Sequence, residues 1–154
     1  MASSVQQQLH RAITKGDVAL SRELLRTDPH GLLSAKVYGQ TALHVAAANN
    51  QLDIVALLLE NAADPDRCNS NNETALHIAA AEGYSDIAHL LLVHKASVEC
   101  EDHQCTHPIH AAAIMGHHEV IRVLLSHGAD ANVEYVAQES PMWHSLTLSH
   151  TLVH

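Results

Sequence analysis

The amino-acid sequence predicts an all-α solenoid, a stack of equivalent helical units, and three observations carry that expectation. The tetrapeptide Thr41-Ala42-Leu43-His44 returns as Thr74-Ala75-Leu76-His77 and, with His107 in place of threonine, as His107-Pro108-Ile109-His110, so the histidines stand 33 residues apart. A fixed period of that size marks a repeat architecture. The rest of each unit keeps the same phase: Ala46-Ala47-Ala48, Ala79-Ala80-Ala81 and Ala111-Ala112-Ala113 follow the histidines, and the apolar runs Ile54 to Leu59, Ile87 to Leu92 and Val120 to Leu125 come next. Each unit closes on Ala63-Asp64, Ala96-Ser97 or Ala129-Asp130. The 154 residues are also 47% apolar with 3% aromatics and no Phe. A core of Ala, Leu, Ile and Val lets thin helices stack closely, which suits a solenoid better than a globule.

Over roughly Lys36 to Val133 this pattern resembles the ankyrin repeat, with its Thr-Pro-Leu-His, paired alanines, mid-repeat Gly and terminal Gly-Ala-Asp-x-Asn. The resemblance implies helix-turn-helix-hairpin units: a single domain over 1–154, with a degenerate N-terminal capping repeat at 5–35, full repeats at 36–68, 69–101 and 102–134, and a partial C-terminal repeat at 135–154.

Taken in order, Val5 to Lys15 reads as a helix with Val5, Leu9, Ala12 and Ile13 on one face. Gly16-Asp17 breaks it, and Val18 to Arg26 reads as a second helix with Leu20, Leu24 and Leu25 inward. Leu9-His10 echoes the later Leu-His, so this pair is the N-terminal cap of the stack. Thr27 to Lys36, containing Asp28-Pro29-His30-Gly31, is expected as a loop that slips the period from 33 to 34. In the full repeats Thr41 and Thr74 sit where a helix needs an N-cap, and Pro108 sits at the first helical position, where its missing N–H costs nothing. His44, His77 and His110 follow three residues later. There one ring nitrogen reaches the cap and the other the neighbouring backbone, the role the family gives them.

Gly83 and Gly116 permit a left-handed turn between the two helices, and Asn50 tolerates it. After the second helix the family prefers Gly. Gly128 conforms, while Ala62 and Lys95 do not, at about 1 kcal/mol each if the left-handed geometry is kept. Asp64 to Glu73 and Ser97 to Thr106 are expected as projecting β-hairpins. Ser140-Pro141-Met142-Trp143 falls in register for a final half-repeat that keeps Leu146, Leu148 and Leu152.

Charge and composition exclude several function classes. Eight Lys and Arg against seventeen Asp and Glu give a formal charge of −9, which repels phosphate backbones and argues against nucleic acid. No apolar run approaches the roughly 18 residues of a membrane span. Three cysteines and no secretory signal point to an intracellular, cytoplasmic or nuclear protein, and on that ground the sequon Asn72-Glu73-Thr74 is accidental. Neither Gly-x-Ser-x-Gly, His-Glu-x-x-His nor a phosphate-cradling loop occurs, so no enzyme and no cofactor is expected. Cys68, Cys100 and Cys105 fall in hairpins that point into solvent.

Fifteen histidines raise the question of metal. Cys100, His103, Cys105 and His107, with His94 upstream, form the densest group. The repeat register puts a turn near Gln104 and Cys105, which destroys the alternation a zinc site on a strand needs, and the spacing matches no zinc signature. No metal site is assigned, and a metal-binding sensor built on this cluster stays an alternative. His117, His118, His127, His144, His150 and His154 are expected to be solvated. Protonating every histidine would move the charge from −9 toward +6, so binding to a basic partner would weaken in acid. Asn132 in Asp130-Ala131-Asn132 is similar to the asparagine hydroxylated in some ankyrin repeats.

The resemblance implies a non-catalytic protein-binding module, an adaptor, inhibitor or scaffold that uses hairpin tips and the exposed faces of the first helices. The family's variable positions fall by register on Tyr38, Gln40 and Asn49, on Asn71, Glu73 and Glu82, and on His103, Gln104, Ile114 and Met115. Tyr38, Ile114 and Met115 are the candidate hot spots. The partner is a protein, and the chain is expected to be monomeric alone. The alternative is a recruiting fragment of a larger protein whose activity lies elsewhere.

Overall fold

The computed structural model describes residues 4–132. The half-repeat expected over 135–154 lies outside them. Among the described residues there are nine helices and no strand: α1 Ser4–Thr14, α2 Val18–Thr27, α3 Pro29–Ser34, α4 Ala42–Ala48, α5 Leu52–Glu60, α6 Ala75–Glu82, α7 Ser85–Val93, α8 Pro108–Met115 and α9 His118–Ser126. Most are about two turns long, too short to persist alone in water. They persist because they stack in two layers, α1, α4, α6 and α8 in one and α2, α5, α7 and α9 in the other.

The period in the sequence becomes columns in the core. Leu43, Leu76 and Ile109 are buried in the first layer, and so are Ala46, Ala79 and Ala112. These alanines let successive first-layer helices approach closely. In the second layer the buried columns are Ile54, Ile87 and Val120, and Leu58, Leu91 and Leu124. One continuous apolar cluster joins them from Leu9 to Ala129.

Every second-layer helix of the full repeats ends in the same way. After α5 the Ala63 amide donates to Leu58 O and the Ala62 amide to Leu59 O, each at 3.0 Å. After α7 the pairs are Ala96 to Leu91 and Lys95 to Leu92; after α9 they are Ala129 to Leu124 and Gly128 to Leu125. This paired pattern is the Schellman motif, and its left-handed residue is Ala62 (φ 66°), Lys95 (φ 67°) or Gly128 (φ 92°). The alanine that follows, Ala63, Ala96 or Ala129, is buried against the helix it closes.

Two expectations are corrected. Residues 29–34 are not loop but helix α3: Asp28 Oδ1 accepts the Gly31 amide at 3.0 Å, Pro29 opens the helix, and Leu32 and Leu33 are buried. Asp followed by Pro is a helix start as well as a turn signal, and only burial of the leucines decides between them. The β-hairpins keep their reversals without strands. Val37 and Gln40 exchange both backbone hydrogen bonds across a two-residue loop in which Tyr38 and Gly39 both have positive φ. The next two turns span three residues, closed by the Asn69 amide on Glu73 O (2.8 Å) and the Asp102 amide on Thr106 O (3.1 Å).

Candidate functional site

The surface expected to bind is the row of turn tips with the first-layer helices behind it. The second and third tips are each held from within by a side chain at one phase of the period. Asn69 Oδ1 accepts the Asn71 and Glu73 amides (2.8 and 2.9 Å), and Asp102 Oδ1 accepts the Gln104 and Thr106 amides (2.8 and 2.9 Å). These are Asx-type turns. Successive tips are then stitched together, the Ser70 amide donating to Gly39 O (3.0 Å) and the His103 amide to Asn71 O (3.1 Å). Asn72 Nδ2 also donates to Glu101 O at 2.8 Å. The tips therefore form a continuous edge that holds outward side chains at regular intervals.

The motif histidines attach this edge to the helices. The Thr74 amide donates to His77 Nδ1 at 3.1 Å, so that nitrogen carries no hydrogen; Nε2–H is left to donate to Thr106 O at 2.9 Å. His44 repeats the arrangement with the Thr41 amide (3.4 Å) and Glu73 O (2.8 Å). The Thr41 and Thr74 hydroxyls lie 2.7 and 2.9 Å from the same Nδ1 atoms. The His107 amide donates to His110 Nδ1 at 3.0 Å behind Pro108. Burial holds His44 and His77 below the ordinary histidine pKa, with a smaller opposing pull from their bonds to backbone carbonyls. Burial does the same to His10. These three stay neutral where exposed histidines charge, so the swing from −9 to +6 overstates what the folded chain undergoes.

The candidate binding residues divide by exposure. Tyr38 is 95% exposed, Ile114 56% and Met115 60%. Asn49, Asn71, Glu82, His103 and Gln104 are exposed as well. Gln40 and Glu73 are half-buried and already engaged: Asn69 Nδ2 donates to Glu73 Oε2 at 2.7 Å and lies 3.4 Å from Gln40 Oε1. Glu73 thus braces the turn from which its neighbours project.

Sequence reasoning missed three features. Asn69 and Asp102 were legible, being Asn and Asp 33 residues apart at one phase. His117, expected to be solvated, is half-buried; its Nε2 donates to Ala81 O in the preceding repeat at 2.9 Å, and its ring covers Gly83. Nothing local signals that. Cys68 and Cys100 are half-buried rather than solvent-facing, and burial pushes the Cys100 thiol up, away from the reactive thiolate.

Among the described residues no group of three or more His, Cys, Asp and Glu side chains is placed to hold a metal ion. His107, the last member of the Cys100 to His107 cluster, turns Nδ1 to Cys100 O (3.3 Å) and Nε2 toward the Glu101 carboxylate (3.6 Å). No described helix is long and apolar enough to cross a membrane.

The family model for ankyrin repeats in three copies matches residues 6–69 and 62–135. The chain belongs to the ankyrin-repeat family. Ankyrin repeats are protein-binding units. Two relatives share a 59-residue stretch with it: the putative E3 ubiquitin-protein ligase XBAT31 of Arabidopsis thaliana at 39% identity and the probable E3 ubiquitin-protein ligase XBOS31 of Oryza sativa subsp. japonica at 42%. Each match takes in 38% of this chain and 13% of the relative's length.

Proposed function

We propose that this ankyrin stack is a non-catalytic protein-interaction module, an adaptor, inhibitor or scaffold, that binds through its turn tips and first-layer helices. One observation carries the reading. Tyr38, Asn49, Asn71, Glu82, His103, Gln104, Ile114 and Met115 are all exposed, on elements that the hydrogen-bonded edge and the alanine columns hold rigid. Preorganised side chains on a fixed frame lose little entropy on binding. Tyr38, Ile114 and Met115 supply apolar area at the two ends of this surface, and amides and carboxylates lie between them.

The test is affinity capture with the wild-type chain beside a Tyr38→Ala, Glu82→Ala, Met115→Ala variant matched in thermal stability. The same protein captured by both removes binding from this face. Loss of capture by the variant alone supports it and supplies the partner. A second reading, recruitment within a longer protein whose activity lies elsewhere, draws on the two ligase relatives, of which this stretch is a small part. A longer transcript containing this sequence is the observation it requires.

A further inference from the structure

We propose that the cavity between α1 and the 37–40 turn receives a glutamate or aspartate carboxylate from an acidic segment of a partner protein, with Arg11 as its counter-charge. The inference rests on the reading of the chain as a binding module and adds the chemistry of the partner.

The cavity measures about 240 Å³ and is lined by residues that include His10, Arg11, Val37, Tyr38, Gln40 and Val45. It is smaller than the roughly 300–1,000 Å³ of pockets that enclose a drug-sized ligand, so it admits a side chain rather than a cofactor. Arg11 is the only ionised group in its lining, which contains no carboxylate. Arg11 also enters no ion pair among the described residues. The surrounding charge acts in the same sense. Residues 1–36 carry five Lys and Arg against three carboxylates, a net +2, while residues 37–154 carry three against fourteen, a net −11. An acidic segment is therefore steered to this end of the stack and repelled from the rest.

Two strained features meet at the cavity. Tyr38 holds φ at 52° with its ring almost wholly in solvent. A bulky residue there is a steric outlier, and such outliers cluster where ligands are clamped. His10 is 8% exposed, and its Nε2 is buried without a hydrogen-bond partner. The corresponding nitrogens of His44 and His77 donate to Glu73 O and Thr106 O. In the first unit Gln40 O holds that place, but α3 and the extra residue of the 34-residue spacing intervene, and no such bond forms. A carboxylate paired with Arg11 gives this ring an acceptor when the ring or the 37–40 turn shifts to expose Nε2. The apolar walls Val37 and Val45 lower the local dielectric and strengthen both contacts.

The test follows the ¹⁵N-labelled chain by NMR during titration with acetyl-Gly-Glu-Glu-Gly-amide. Its glutamine counterpart and inorganic phosphate are the controls. Saturable shifts at the Arg11 guanidinium, Tyr38 and His10 Nε2 are expected with the glutamate peptide alone, weakening with added salt. Arg11→Gln, a change at an exposed position, should raise Kd at least fivefold. The proposal is overturned if the glutamine peptide does as well, if phosphate binds and the glutamate peptide does not, or if Arg11→Gln leaves Kd unchanged. It is also overturned if the same residues shift with protein concentration alone, because a second copy then fills the cavity. Should the peptide fail while partner capture still depends on Glu82 and Met115, the cavity proposal falls and the binding module stands.

Discussion

Ala62, Lys95 and Gly128 are three residues in one backbone geometry, and the difference between them is a stability prediction that runs in both directions. All three close a second-layer helix with the same pair of hydrogen bonds and positive φ. A Cβ in left-handed geometry costs roughly 1–2 kcal/mol, offset by the roughly 0.5–1 kcal/mol of extra backbone freedom that glycine loses on folding. Ala62→Gly and Lys95→Gly should therefore each stabilise the chain by about 0.5–1 kcal/mol. Both side chains are exposed and lose no buried contact. The double variant should gain about 1–2 kcal/mol, because the sites share no hydrogen-bond partner. Gly128→Ala should cost about the same as one glycine gains, since a Cβ there meets no atom within 4 Å and φ is the sole penalty. Urea unfolding measures this directly, the midpoint moving while the slope stays constant. Three substitutions that all leave the midpoint unchanged would refute the claim that left-handed strain weakens the middle of the stack.

Gly83→Ala should destabilise more than Gly116→Ala, although φ is 79° and 76°: a Cβ at Gly83 lies 2.6 Å from His117 Nδ1 and one at Gly116 meets nothing. Introducing His117→Ala first should bring the two costs together, a comparison made by double-mutant cycle. Asn69→Ala should cost about 1–3 kcal/mol by leaving the 71 and 73 amides without their acceptor, and should speed hydrogen exchange at the tip amides of residues 70–73. For pH, the folded chain keeps His10, His44 and His77 neutral below the value of about 6.5 at which the unfolded chain protonates them. The unfolded state then binds more protons, so stability is fully present above that value and falls as pH drops through the window beneath it. Urea midpoints between pH 7.5 and 5 check this, and a His77→Gln variant should show a shallower fall.

The sequence alone determined the unit, its period and most of its local chemistry. Thr41, Thr74 and Pro108 start helices, Gly83 and Gly116 end them, and His44 bonds a cap three residues away, all interactions that span four residues or fewer and so leave a local pattern. Exposure followed register in the same way at eight of the ten candidate positions, whereas Gln40 and Glu73 are half-buried in the turn contacts of Asn69. What only the tertiary structure decided involves groups about 30 residues apart in sequence. Asp28-Pro29 became a helix because Leu32 and Leu33 found a core to enter. His117 left solvent because the turn at Gly83 in the preceding repeat leaves room for its ring. His10, spelled like His44 and His77, lost its partner because one extra residue and α3 displaced the chain that should have supplied it. Stacking distance between units sets these contacts, and it depends on how whole units pack rather than on any run of residues within one.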